Sequence, residues 1–117
     1  MRTMEIKIAG SGSALAELDD RSPRIARALW EALPIEGSAR LWGEEVYFDV
    51  PLECDDENAS PIAAPGDLSY WSPGPALCIF FGRTQPYSPV NHIGRIYEGL
   101  DLFAGIQEGA RILVTRL

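Results

Sequence analysis

Apolar and polar residues alternate from Met4 to Ile8. Met4, Ile6 and Ile8 fall on one face, and Glu5 and Lys7 on the other. A period of two predicts a half-buried first strand. AGSGSA (9–14) reads as a turn, and LAEL (15–18) as a second strand paired with the first. The period then changes. Ser22 suits an N-cap and Pro23 the first helical position. Arg24, Arg27 and Glu31 form a polar stripe, while Ile25, Ala26, Leu29, Trp30 and Leu33 cover the rest, and Pro34 stops the run. The spacing predicts one amphipathic helix over 23–33, with Trp30 as core or cap packing.

After an expected turn at Glu36 to Ser38, RLWGEEVYFDVPL (40–52) alternates again. Val46, Phe48 and Val50 share one face; Glu45, Tyr47 and Asp49 share the other. Extended backward, the alternation puts Glu44 and Trp42 on the apolar face. A carboxylate there needs a partner or an opening to water. Either the strand begins near Glu44 and leaves it at the rim, or Glu44 sits at the mouth of a pocket beside Trp42. Residues 55–66 read as a polar loop. Its acidic run, Asp55, Asp56 and Glu57, is expected to be solvated, because the spaced oxygen ligands of a calcium loop are missing.

GDLSYWSPGPALCIFFG (66–82) reads as strand, tight turn at Pro73, Gly74 and Pro75, then strand. Leu77, Ile79 and Phe81 point one way; Ala76, Cys78 and Phe80 point the other. Apolar residues on both faces imply a strand covered on both sides. VNHIGRIYEG (90–99) is a further strand, where Gly94 suggests a bulge or a close approach. LDLFAGI supplies a short helix over about 100–105, and ARILVTRL (110–117) a last strand. The fold class is therefore mainly β: one domain over 1–117, an antiparallel barrel or sandwich capped by one main helix and one short one.

Composition narrows the functions. A hydrophobic content of 46% argues against disorder. The net charge of −7, with one Lys among ten basic residues, repels a phosphate backbone, so no nucleic-acid partner is expected. The Gly/Ser turn at 9–14 lacks the lysine of a phosphate loop. The apolar runs are too short for a bilayer, and MRTMEIKIAG has no signal-peptide core, so a cytoplasmic protein without a membrane partner is expected. Cys54, Cys78 and His92 cannot make a structural zinc site, and a cytosolic setting disfavours a disulfide. No metal or other cofactor is expected.

Two segments resemble cyclophilins. GDLSYWSPGPALCIFFG is similar to a cyclophilin segment in which a G-x-L-S strand leads into an S-Q-F-F-I strand, and NHIGRIYEGLDLFAGI to its V-F-G-K-V-x-E-G-M strand and short helix. The whole chain resembles more closely a small prokaryotic family of unassigned function with a cyclophilin-like barrel. The motifs are WGEEVYF (42–48), GDLSYWSPGPALCIFFGRT (66–84) and VNHIGRIYEGL (90–100). The resemblance implies a closed antiparallel barrel of about eight strands with a helix capping each end. It implies Phe81 as the floor of a proline pocket, and Trp71 and Ser72 where cyclophilins bind peptide backbone. The cyclophilin active strand does not carry over. RLWGEEVYF lacks the Gln-Gly-Gly, Arg40 stands at a different spacing, and Glu44 and Glu45 bring negative charge where a carbonyl needs a donor.

The leading expectation is a binding module for a small molecule, peptide or protein at an aromatic-lined barrel face. Trp42, Tyr47, Trp71 and Phe81 would supply apolar contact, and Glu44, Arg83, Thr84 and Asn91 polar anchors. The alternative is a weak or divergent peptidyl-prolyl isomerase, which rests on fold analogy alone. A hydrolase would need Ser72 or Ser88 to meet His92 and a carboxylate, and no nucleophile elbow is present. Clustering of Trp42, Glu44, Trp71 and Phe81 around one concavity would favour binding; burial of all four would favour plain core.

Overall fold

The computed structural model describes residues 2–117. Strands β1 (Thr3–Ile8) and β2 (Gly12–Leu18) form the expected hairpin, with Ile6 opposite Ala14. Met4, Ile6 and Ile8 are buried as their alternation requires. β2 begins at Gly12, inside the stretch expected to be turn, because Gly12 pairs directly with Ile8.

Helix α1 (Pro23–Ala32) buries Ile25, Ala26 and Leu29. Leu33 already has extended backbone, as a residue preceding proline tends to. Ser22 holds the N-cap position but makes no capping bond, and its buried hydroxyl has no partner among the described residues. The cap comes from afar: the Glu57 carboxylate accepts the amides of Arg24 at 3.0 Å and Ile25 at 3.1 Å. The acidic run is thus not simply solvated. Burial pushes the Glu57 pKa up, but those two amides and the Arg24 guanidinium pull it down further, leaving it below its ordinary value.

The turn expected at 36–38 is instead strand β3 (Ile35–Ser38). It pairs with the last strand, β10 (Arg111–Arg116), where buried Ile35 lies opposite buried Val114. RLWGEEVYFDV divides into β4 (Arg40–Trp42) and β5 (Glu45–Asp49). Between them Gly43 adopts a left-handed φ of 58°, which a glycine tolerates at little cost. The alternation therefore cannot be carried back from Phe48 through Glu44 to Trp42. The remaining strands are β6 (Ala59–Ser60), β7 (Asp67–Trp71), β8 (Ala76–Phe80) and β9 (Val90–Glu98).

All pairs are antiparallel, in the order β3-β10-β1-β2-β9-β7-β8-β5-β4, with β6 beside β9. The result is a nearly closed barrel. The path has more strands than the resemblance implies because β3 replaces a turn and β4 and β5 replace one strand. Closure depends on Gly37 of β3: a Cβ there would lie 2.7 Å from the Phe48 ring of β5. Gly94 of β9 makes the expected close approach, since a Cβ would stand 2.4 Å from the Glu17 carbonyl oxygen.

Phe48, Leu68, Leu77 and Ile79 fill the interior with Met4 and Ile6 of the first strand. Register places the two helices at opposite ends. α1 follows Leu18, which pairs with Gly94. The short 3-10 helix Leu100–Gly105 follows the far end of β9, where Glu98 pairs with Leu15, and it buries Phe103. Among the described residues, no helix is long and apolar enough to cross a membrane.

Candidate functional site

β8 lies between β5 and β7, the strands that carry Glu45, Tyr47 and Trp71. Leu77 and Ile79 point into the barrel, while Cys78 and Phe80 point outward. The outer face of an antiparallel sheet commonly meets water. Here Phe80, Cys78, Val90 and Ala63 form a second buried cluster, against which Tyr47 and Trp71 pack.

The loop 81–89 covers that cluster, and side chains tie it down. Gln85 brackets the Ala63 peptide, accepting its amide at 3.0 Å and donating to its carbonyl at 3.1 Å. Ser88 accepts the Trp71 indole N–H at 2.7 Å. Thr84 accepts the Glu44 amide at 2.7 Å, and the Glu44 carboxylate accepts the Arg83 amide at 2.8 Å. Gly82 leaves room for this carboxylate, since a Cβ there would stand 2.2 Å from it.

Beside the covered cluster the surface opens into a cavity of about 210 Å³ lined by Trp42, Glu45, Tyr47, Trp71, Tyr87 and Val90. Tyr87 stands at 84° to Trp42 with centroids 5.6 Å apart, and at 88° to Trp71 with centroids 6.4 Å apart. Trp42 is 46% exposed and Tyr87 75%. Two large aromatics are thus left open to water side by side.

Glu45 is the charged group of the cavity, and it is only 6% exposed. Burial pushes its pKa from the ordinary 4.5 up to about 7, against a smaller downward pull from the Cys78 thiol. Cys78 is raised well above the ordinary thiol value, first by burial and then by the Glu45 charge. It is therefore a neutral thiol and no nucleophile.

The expected site residues divide. Trp42, Tyr47 and Trp71 meet at the cavity. Glu44, Arg83 and Thr84 do not line it; they lock the β4–β5 turn to the loop 81–89. Phe81 packs on the barrel interior, because the alternation along β8 that sends Phe80 outward sends Phe81 inward. Asn91 is fully buried, accepts the amides of Glu57 and Asn58 at 2.8 and 3.0 Å, and donates to Asp56 at 3.0 Å. It pins the acidic loop. Glu45, Tyr87 and Val90 were not expected. The signal for an outer layer was the apolar run Ala76, Cys78, Phe80, which also implied that Glu45, on the paired strand, was covered.

The serines named for hydrolysis go elsewhere. Ser72 donates to Asp56 at 2.8 Å and Ser88 holds Trp71. The hydroxyl against His92 is that of fully buried Ser69, 2.6 Å from Nδ1. His92 Nε2 donates to the Ile62 carbonyl at 2.7 Å. Nearby, Asp67 is held by Arg21 at 3.2 Å and the Ala64 amide at 2.8 Å. With no access for a substrate, this network braces β7 against β9. Among the described residues, no three His, Cys, Asp or Glu side chains converge to hold a metal ion.

The comparisons with known proteins agree with this architecture. The Cyclophilin-like family model matches residues 2–115. The chain belongs to the cyclophilin-like family. The solution structure of the hypothetical protein AF2241 from Archaeoglobus fulgidus is 36% identical to this cyclophilin-like chain, with a TM-score of 0.80 over 99% of this chain and 95% of that one. McbB, solved in complex with tryptophan, shares the fold at 18% identity, with a TM-score of 0.82 over 97% of this chain but 44% of its own. No curated protein matches. In this cyclophilin-like barrel Arg40 is already engaged: it pairs with Asp49 and stacks on Tyr47, 4.8 Å from the ring centroid.

Proposed function

We propose that this protein is a binding module for a small organic molecule, held in the cavity between β5, β7 and the loop 81–89. One observation carries the reading: two largely exposed aromatic side chains, Trp42 and Tyr87, share a cavity with a carboxylate that the fold buries. Concave sites with apolar walls and a few placed polar groups are the usual form of a ligand pocket. The cavity volume of about 210 Å³ lies below the range of drug-sized pockets, so the occupant is small. That McbB is solved with tryptophan is consistent with a small-molecule occupant and assigns no ligand here.

Prolyl isomerisation is the weaker reading. A twisted prolyl amide needs a cation or amide donors at its oxygen. The cavity offers Glu45 instead, and Arg40 is spent on Asp49. The test is native mass spectrometry of freshly purified protein. A retained compound that disappears in Trp71→Ala supports the reading. A compound retained equally by Trp71→Ala and Tyr87→Ala places binding elsewhere and overturns it.

A further inference from the structure

The Glu45 carboxylate lines an aromatic cavity without a cationic partner. Among the described residues, no Arg, Lys or His lies within ion-pair distance of it. Arg40, on the strand paired with β5, lies opposite Tyr47 and is taken up by Asp49 and by the Tyr47 ring. A buried carboxylate left unpaired is costly, and a ligand that brings a positive charge relieves that cost.

The walls favour the same charge. Aromatic faces are electron-rich and attract cations within about 6 Å of the ring centroid. Trp42, Trp71 and Tyr87 all line the cavity, and Tyr87 stands nearly perpendicular to both tryptophans, so the walls do not lie in one plane. The net charge of −7 raises the local concentration of cations and repels anions. A cavity of about 210 Å³ holds roughly seven waters' worth of ligand, the scale of a compact headgroup.

We infer that the cavity takes a small organic cation, an alkylated ammonium group, seated among Trp42, Trp71 and Tyr87 with the Glu45 carboxylate as its counter-ion. This rests on the small-molecule reading above and names the class of ligand. A neutral ring of the same size gains the apolar contact but leaves the carboxylate uncompensated. A carboxylate or phosphate ligand is repelled.

The test is isothermal titration of the full chain with choline and with its uncharged carbon analogue, 3,3-dimethylbutan-1-ol. Wild type is expected to prefer choline by about tenfold or more. Glu45→Gln, which keeps shape and removes charge, is expected to lose most of that preference while still binding the alcohol. A short peptide bearing trimethyl-lysine separates the two sources of such a cation: binding of either supports the assignment, and the tighter one names the source. Equal binding of choline and the alcohol by wild type sinks the cation and leaves the small-molecule pocket standing. Absence of binding by all three probes sinks both. Because the wild-type comparison alone decides the matter, a poorly folded variant does not rescue the proposal.

Discussion

The two faces of β8 are both shut off from water, by different means. Inward, Leu77 and Ile79 meet side chains from around the whole barrel. Outward, Cys78 and Phe80 pack with Ala63 and Val90, and a handful of polar bonds ties the loop 81–89 to Ala63 and Trp71. The interior tolerates no opening, because every wall is sheet or helix. The outer layer is made of loop, and it opens into the cavity that Glu45 lines. Beside β5 a cavity with aromatic walls and a carboxyl group lies outside the barrel core. The cavity and the core meet on β5, where Glu45 and Tyr47 line the one and Val46 and Phe48 fill the other.

Truncation tests that contrast first. Phe80→Ala should cost about 3–5 kcal/mol, as should Phe48→Ala inside the barrel, since both side chains are fully buried. Urea denaturation measures both. A loss under about 1 kcal/mol at Phe80 would show that the outer cluster is not core at all.

The second test is electrostatic. The Glu45 pKa is raised from 4.5 unfolded to about 7 folded. Between those values the folded chain binds more protons than the unfolded one, so this group's contribution is fully present below 4.5 and is lost as pH rises through about 7. The other ionisable groups at this site are the Cys78 thiol, the Tyr47 and Tyr87 phenols and, over Tyr47, the Arg40 guanidinium. Glu45→Gln should therefore stabilise the protein at pH 8, by up to roughly 3 kcal/mol, and flatten the stability profile between pH 5 and 7. Thermal melts across pH read this directly. An unchanged slope would mean that Glu45 is solvated.

Tyr87→Ala should do little to the fold, within about 0.5 kcal/mol, because the side chain is mostly in water. Ligand retention should nevertheless fall, which separates cavity wall from core. The smallest effect expected is none. A protease-coupled assay on short prolyl peptides should show little or no acceleration, and Arg40→Ala should change nothing. Robust turnover abolished by that substitution would restore the isomerase reading.

How much of this was legible in the sequence depends on the range of the interaction. Local periodicity marks β1, α1 and the two-faced β8, because each pattern is set by neighbours along the chain. The β3 strand was hidden because IEGS has little pattern of its own; its partner, β10, lies at the other end of the chain. The helix cap was hidden for the same reason, since Glu57 reaches α1 across a gap of 33 residues that no capping motif records. At the site, Trp42, Tyr47 and Trp71 were legible as aromatics of one barrel face. The burial of Glu45 is not legible in the alternation, which tells which face a side chain takes and not what covers that face. Glu44 reads as an anchor in the sequence, and in the structure its carboxylate accepts the Arg83 amide.

The placement of the tryptophans has an optical consequence. The chain has three; Trp42 and Trp71 both stand in the cavity wall, and Trp30 lies on α1 between the guanidinium groups of Arg2 and Arg116. Emission from two of the three fluorophores therefore reports directly on whatever enters the cavity, while the third supplies a steady background. Trp71→Phe and Trp42→Phe, made singly, would assign the signal to one wall or the other. The protein thus carries its own label, and occupancy can be followed in solution without attaching a dye.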